Sequence, residues 1–127
     1  MRPGLFRYVC AGILIASTVL SVGAALAADA AVTANSSSQA SNIFQSRCAV
    51  CHGDDGRGDG PAASNMNPGP VNFHSQSWQA SVTDAVIAKA IVNGGAAVGR
   101  SSAMAPNPDL EPAVVSALVA KIRAMGK

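Results

Sequence analysis

Residues 48–52 read Cys-Ala-Val-Cys-His, and no other segment of the 127-residue chain restricts its structure as tightly. The spacing of Phe44, Cys48 and Cys51 predicts that these three side chains share one face of a helix. Both thiols would then point to the same side, and His52 follows directly after them. The segment therefore offers two sulfur atoms and an imidazole to the same neighbour.

This Cys-x-x-Cys-His arrangement is typical of a c-type haem attachment site. Positions three apart on a helix lie on one face, so both sulfur atoms can reach the two vinyl groups on one edge of a porphyrin. His52 is then held beneath the ring, where an imidazole nitrogen can bind iron. We therefore predict one haem c, attached covalently through Cys48 and Cys51, with His52 as an iron ligand.

Three other uses of the cysteines fit the sequence less well. A thioredoxin-like redox site needs a surrounding βαβ pattern, and none is visible. A structural zinc site needs four ligands. His74 could complete such a set, but the adjacent Cys51 and His52 are awkward tetrahedral co-ligands. A disulfide between Cys48 and Cys51 has poor geometry within a helix.

The N-terminal segment has the pattern of a secretory signal peptide. Arg2 and Arg7 precede an uncharged run over residues 8–28, and Ala25-Leu26-Ala27 provides a cleavage site of small residues. We predict a cleaved signal peptide over residues 1–27 and a periplasmic location. An uncleaved membrane anchor is the alternative, since an uncharged run of this length could span a bilayer.

Removal of the signal peptide would change both the charge and the cysteine count. The full chain has nine Lys and Arg against seven Asp and Glu. Without Arg2 and Arg7, seven of each sign remain, and Cys48 and Cys51 are the two cysteines left. A neutral chain without a basic patch gives no indication of nucleic-acid binding.

The rest of the sequence predicts an all-α domain over residues 41–127. Residues 28–40 are Ala-rich and then polar, and their composition predicts a flexible lead-in. Helices are predicted over about residues 42–51, over about residues 83–93, and from about residue 112. Gly- and Pro-rich segments at residues 53–81 and 95–110 predict long loops, which in a compact domain usually wrap something or have a function.

The second of these loops contains the best candidate for a second axial ligand. Met104 lies far enough along the chain for its loop to pass round a haem edge, and a thioether opposite an imidazole is typical of electron transfer. His74, in a bis-histidine site, and an open position are the alternatives. Met66 follows His52 closely, and Met125 lies on the apolar face of the last helix, so both are weaker candidates.

The order of these features resembles that of class I c-type cytochromes, over roughly residues 42–125. The shared features are a capped helix ending in Cys-x-x-Cys-His, Gly60-Pro61, Pro70 before Phe73, a helix ending in Gly94, the Met104 loop and a final helix. The resemblance implies the cytochrome c fold, with three to five short helices wrapped around one covalently bound haem. It also implies that the carbonyl of Pro61 accepts a hydrogen bond from the His52 imidazole and so contributes to cofactor binding.

The same resemblance implies a soluble, exported, monomeric one-electron carrier rather than an enzyme. Its partners would be a reductase or dehydrogenase as electron donor, and an oxidase or another acceptor. It would associate with a membrane only if the signal segment were retained. Two alternatives stay open: a haem c subunit of a larger oxidoreductase, or a ligand-binding or sensor cytochrome in which Met104 does not bind iron.

Two positions depart from the family pattern. Family members often have proline directly after the ligand methionine, whereas Ala105 separates Met104 from Pro106. Lys121 occupies a position in the last helix where an aromatic residue is usual. We therefore expect a less rigid ligand loop and looser helix packing.

Overall fold

The computed structural model describes the backbone over residues 20–127 and the side chains from residue 29 onwards. The predicted signal peptide, residues 1–27, lies outside the residues whose side chains are described. None of the helices in the described range is long and apolar enough to cross a membrane.

The chain is all-α, as predicted, and residues 20–127 contain no strand. The helices are α1 (Leu20–Ile43), α2 (Ala49–His52), α3 (Gln76–Ser81), α4 (Asp84–Asn93) and α5 (Pro112–Met125). A π-helical turn, Phe44–Cys48, joins α1 to α2, and 3-10 turns lie at Ala63–Asn65 and Gly95–Val98. The first helix, the π turn and α2 therefore form one continuous helical segment that ends at His52.

The first helix includes the residues for which the composition predicts a flexible lead-in. Residues 28–40 are helical, and their many alanines have the highest intrinsic helix propensity. Ser36, Ala40 and Phe44 are buried at intervals of four residues, which places them on one face, and α1 packs against α5. Among the described side chains of this range Ser36 and Ala40 are buried, so the packing of α1 on α5 orders its second half, and composition alone does not reveal such packing.

The core lies where α1, α4 and α5 meet. Its buried residues are Ala40, Phe44, Ala49, Phe73, Ile87, Ile91, Val114, Leu118, Val119 and Ile122. Phe44 and Leu118 are the largest fully buried side chains, and each is 1% exposed. The segment that contains the Cys-x-x-Cys-His motif, residues 44–52 (the attachment segment), and the last helix therefore share one apolar core.

The segment before α4, which includes α3, is held against α5 by one arginine and one glutamine. Arg123 donates to the carbonyls of Gln79 and Val82, at 2.8 and 2.6 Å. The side-chain amide of Gln79 donates to the carbonyl of Phe73 at 2.8 Å. These bonds fix the position of Phe73, which contacts the candidate site.

Lys121, at the place where an aromatic residue is usual, covers the ring of Phe44. Its ammonium nitrogen lies 5.4 Å from the ring centroid, within the range of a cation–π interaction. The aliphatic part of such a lysine can lie along apolar surface while its charge stays in water. The ammonium group of Lys121 therefore packs on Phe44, at the position where a second aromatic ring is usual.

We expect Lys121→Ala to lower the free energy of unfolding by about 1 kcal/mol, because it removes both the cation and the aliphatic stem from Phe44. Lys121→Met keeps an apolar stem without the charge and separates the two contributions. Lys89→Ala, at an exposed position of α4, is the matched control. Urea unfolding followed by circular dichroism measures all three. A Met variant as stable as the wild type would show that the charge contributes nothing.

Candidate functional site

One side of the core opens into a cavity of about 440 Å³. Its volume falls within the roughly 300–1,000 Å³ typical of sites for cofactors and other small molecules. Most of its wall is apolar, with contributions from Phe44, Met66, Pro70, Val71, Phe73, Ile91, Val98, Leu118 and Ile122. A cofactor with a large apolar surface matches this wall.

Cys48, Cys51 and His52 come together at the cavity, as their spacing predicts. All three residues line it, and both cysteines are half-buried free thiols. Cys48 is the last residue of the π turn, whereas Cys51 and His52 lie in α2. Single π turns within α-helices are rare and occur frequently at functional sites.

The loop after His52 folds back onto α2 through its backbone. Three loop amides donate to three carbonyls of the attachment segment: Gly58 to His52, Gly60 to Cys51 and Ala62 to Val50, at 2.7, 3.1 and 2.9 Å. These carbonyls lie at the end of the helix, where helical amides do not reach them. The Gly-rich sequence permits this approach, because a Cβ on Gly60 would lie 2.5 Å from the carbonyl oxygen of Ala49.

The imidazole of His52 lies flat against Phe73. The two ring centroids are 4.6 Å apart and the ring planes differ by 16°. The amide of Phe73 donates to the carbonyl of Gly56 at 2.8 Å, so the loop holds the phenyl ring in place. Burial lowers the pKa of His52, with a smaller opposing effect from the backbone of Val71. The imidazole is therefore neutral at neutral pH, which is the form that binds metals.

The role that the resemblance implies for Pro61 does not appear in this geometry. Nδ1 of His52 is buried and has no hydrogen-bond partner among the described residues. Pro61 is exposed and does not line the cavity, and the imidazole stacks on Phe73 instead of donating to the Pro61 carbonyl. An unpaired buried ring nitrogen is unusual in a protein interior. The neutral imidazole lies beside two free thiols, so these residues fit a covalently attached haem, whose iron His52 would bind.

Met104 also lines the cavity, and its loop is fixed on both sides of the side chain. Its amide donates to the carbonyl of Ser101 at 3.2 Å, and its carbonyl accepts from the amide of Gly95 at 3.0 Å. A Cβ on Gly95 would lie 3.0 Å from the Met104 Cβ, so glycine permits this close contact. Backbone hydrogen bonds therefore restrain the loop even though Ala105 replaces the proline usual after the methionine.

The structure narrows the candidates for the second axial ligand. His74 and Met125 do not line the cavity. Nε2 of His74 lies 2.8 Å from a backbone carbonyl oxygen in the loop after His52, and Met125 packs against the core. Met66, which its closeness to His52 in sequence disfavours, lines the cavity together with Met104.

Two arginines on the cavity wall, Arg47 and Arg100, have no counterpart among the residues predicted from the sequence. Arg47 directly precedes Cys48, and this position beside the motif is a signal that the sequence contains. Nothing around Arg100 in the sequence marks it. The stacking of Phe73 on His52 is likewise invisible to sequence patterns, because it joins a loop to a helix end.

A family model described as Cytochrome c matches residues 37–125. The matched range begins within α1 and ends with the last residue of α5, and it includes both the Cys-x-x-Cys-His motif and the Met104 loop. No curated protein matches the chain.

Proposed function

Since the chain belongs to the cytochrome c family of electron-transfer haem proteins, we propose that it is a periplasmic carrier of single electrons between redox partner proteins. The observation that carries this proposal is the cavity at which two free thiols, a neutral imidazole and a thioether meet. A bound haem would supply an iron that alternates between the ferric and ferrous states. The signal-peptide pattern in residues 1–27 supports the periplasmic location.

Four of the residues that line the cavity have separate parts in this function. Cys48 and Cys51 would form the two thioether links to one haem and so prevent its loss from a small exported domain. His52 would bind the iron through an imidazole nitrogen, and Met104 would bind it through its thioether, which raises the reduction potential relative to a second histidine. With both His52 and Met104 on the iron, no position would stay open for a substrate, as a simple electron carrier requires.

Partner proteins would approach at the exposed side of the attachment segment. Val50, between the two cysteines, is 49% exposed although it lines the cavity. Electron-transfer encounters are brief and bury little surface. After removal of residues 1–27, seven positive and seven negative side chains would remain, so we propose association that depends only weakly on salt.

The test combines mass spectrometry with a potentiometric titration of the protein purified after expression of the full-length gene. We expect the mass of the chain from residue 28 plus one haem, a reversible one-electron reduction, and no carbon monoxide binding to the reduced protein at neutral pH. Carbon monoxide binding would contradict a carrier and indicate a ligand-binding or sensor cytochrome. A catalytic subunit that co-purifies in stable stoichiometry would instead indicate a subunit of a larger oxidoreductase.

A further inference from the structure

A polar cluster at the rim of the cavity joins the attachment segment to the Met104 loop. Nη1 of Arg47 lies 3.0 and 2.9 Å from the two carboxylate oxygens of Asp109. The same nitrogen lies 3.4 Å from Oδ1 of Asn107. Arg47 directly precedes Cys48, whereas Asn107 and Asp109 follow Met104. The cluster therefore connects two parts of the site that are far apart in sequence.

Asn107 extends this connection to the backbone of the ligand loop. Its Nδ2 donates to the carbonyl of Ile91 at 3.1 Å and to the carbonyl of Ala105 at 3.4 Å. Its backbone amide also donates to Ile91, at 3.1 Å. Ile91 is buried in α4, so Asn107 ties the residue that follows Met104 to a rigid element.

The hydrogen bonds of Arg47 join the attachment segment directly to the Met104 loop. Within the described part of the chain, no other hydrogen bond joins residues 44–52 to residues 99–111. The hydrogen bond from Arg47 lowers the pKa of Asp109, so the carboxylate is charged at neutral pH. The two side chains are 44% and 57% exposed, and ion pairs at this exposure contribute little to global stability. We therefore expect the Arg47–Asp109 ion pair to affect how often the Met104 loop opens and not the global stability of the fold.

We propose that Arg47 is a positioning residue: by binding Asp109 and Asn107 it holds the Met104 loop against the attachment segment and limits opening of the loop. This inference rests on the proposed role of Met104 as the second axial ligand. Loops restrained by few exposed contacts open more easily than the core unfolds. Loss of the Arg47 contacts would increase the fraction of molecules in which the thioether has left the iron.

The test is the rate at which added imidazole binds to the ferric haem protein, because imidazole can bind iron only after the loop opens. We expect Arg47→Gln and Asp109→Asn each to raise this rate about threefold to fivefold, the factor that an exposed ion pair supports. The double variant should match Arg47→Gln, because that single change already removes the partner of Asp109. Arg47→Lys, which keeps the charge, should show a smaller increase.

Arg57→Gln is the matched control, since Arg57 is an exposed arginine in the other loop with no ion pair among the described residues. It should leave the imidazole rate at the wild-type value, and urea unfolding should be nearly the same in all variants. Unchanged imidazole rates in Arg47→Gln and Asp109→Asn would overturn the inference. The sulfur-to-iron absorption band of the ferric wild type is recorded first. Its absence would refute the Met104 assignment, and the positioning role with it, before any variant is compared.

Discussion

Met104→Ala is expected to lower the reduction potential by at least about 0.1 V, since the axial ligands set haem potentials over a range of about 0.8 V. The physical reason is that a thioether opposite histidine raises the potential, and water or another harder ligand would replace it. The variant should also lose the sulfur-to-iron absorption band in its ferric form and bind carbon monoxide in its ferrous form. Potentiometric titration followed by absorption spectra measures these changes.

Met66→Ala is the control for this experiment, because Met66 is also a partly buried thioether on the cavity wall. Its reduction potential should equal that of the wild type. Its ferric form should keep the sulfur-to-iron absorption band, and its ferrous form should not bind carbon monoxide. If Met66→Ala loses the band and Met104→Ala keeps it, the ligand is Met66 and the assignment is wrong. Measuring both variants therefore identifies which sulfur binds iron.

Gly60→Ala is expected to destabilise the protein by about 2 kcal/mol or more, within the range found for overpacked sites. A Cβ at this position would lie 2.5 and 2.6 Å from the carbonyl oxygens of Ala49 and Val50. Relief requires the loop to move away from α2, which breaks the 3.1 Å hydrogen bond from Gly60 to Cys51. Urea unfolding gives the stability, and the yield of covalently attached haem reports the geometry of the attachment segment.

Gly69→Ala introduces the same methyl group in the same loop region, where the nearest atom to it would be the carbonyl oxygen of Met66 at 3.9 Å. This is an ordinary contact distance, so the change should be neutral or slightly stabilising through reduced freedom of the unfolded chain. Equal stability of the Gly60 and Gly69 variants would show that the loop does not lie against α2.

The local features of the fold could be predicted from the sequence. A helix is predicted over about residues 83–93, and α4 begins directly after Thr83, whose side-chain oxygen accepts from the amide of Val86 at 3.3 Å. Pro112 is the first residue of α5. Caps, helix starts and glycine ends depend on residues within one turn of each other, so a short window of sequence contains the necessary information.

The hydrogen-bonding of Pro61 and the helical structure of residues 28–40 could not be predicted from a short window of sequence. Neither the stacking of His52 on Phe73 nor the packing of α1 on α5 is encoded by a local pattern. For residues 28–40 the composition predicts flexibility, whereas the range is helical and its second half is held by the burial of Ser36 and Ala40.

The sequence by itself therefore determined which side chains the candidate site offers and the helical class of the described residues. Cys48, Cys51 and His52 lie within one helical segment, so their spacing alone brings two thiols and an imidazole to one side. The tertiary structure decided which distant groups meet them: Phe73 against His52, Met104 and Met66 on the same cavity wall, and Arg47 bound to Asp109. Such contacts form because separate apolar faces must share one core, and the loops between those faces leave no periodic trace in the sequence.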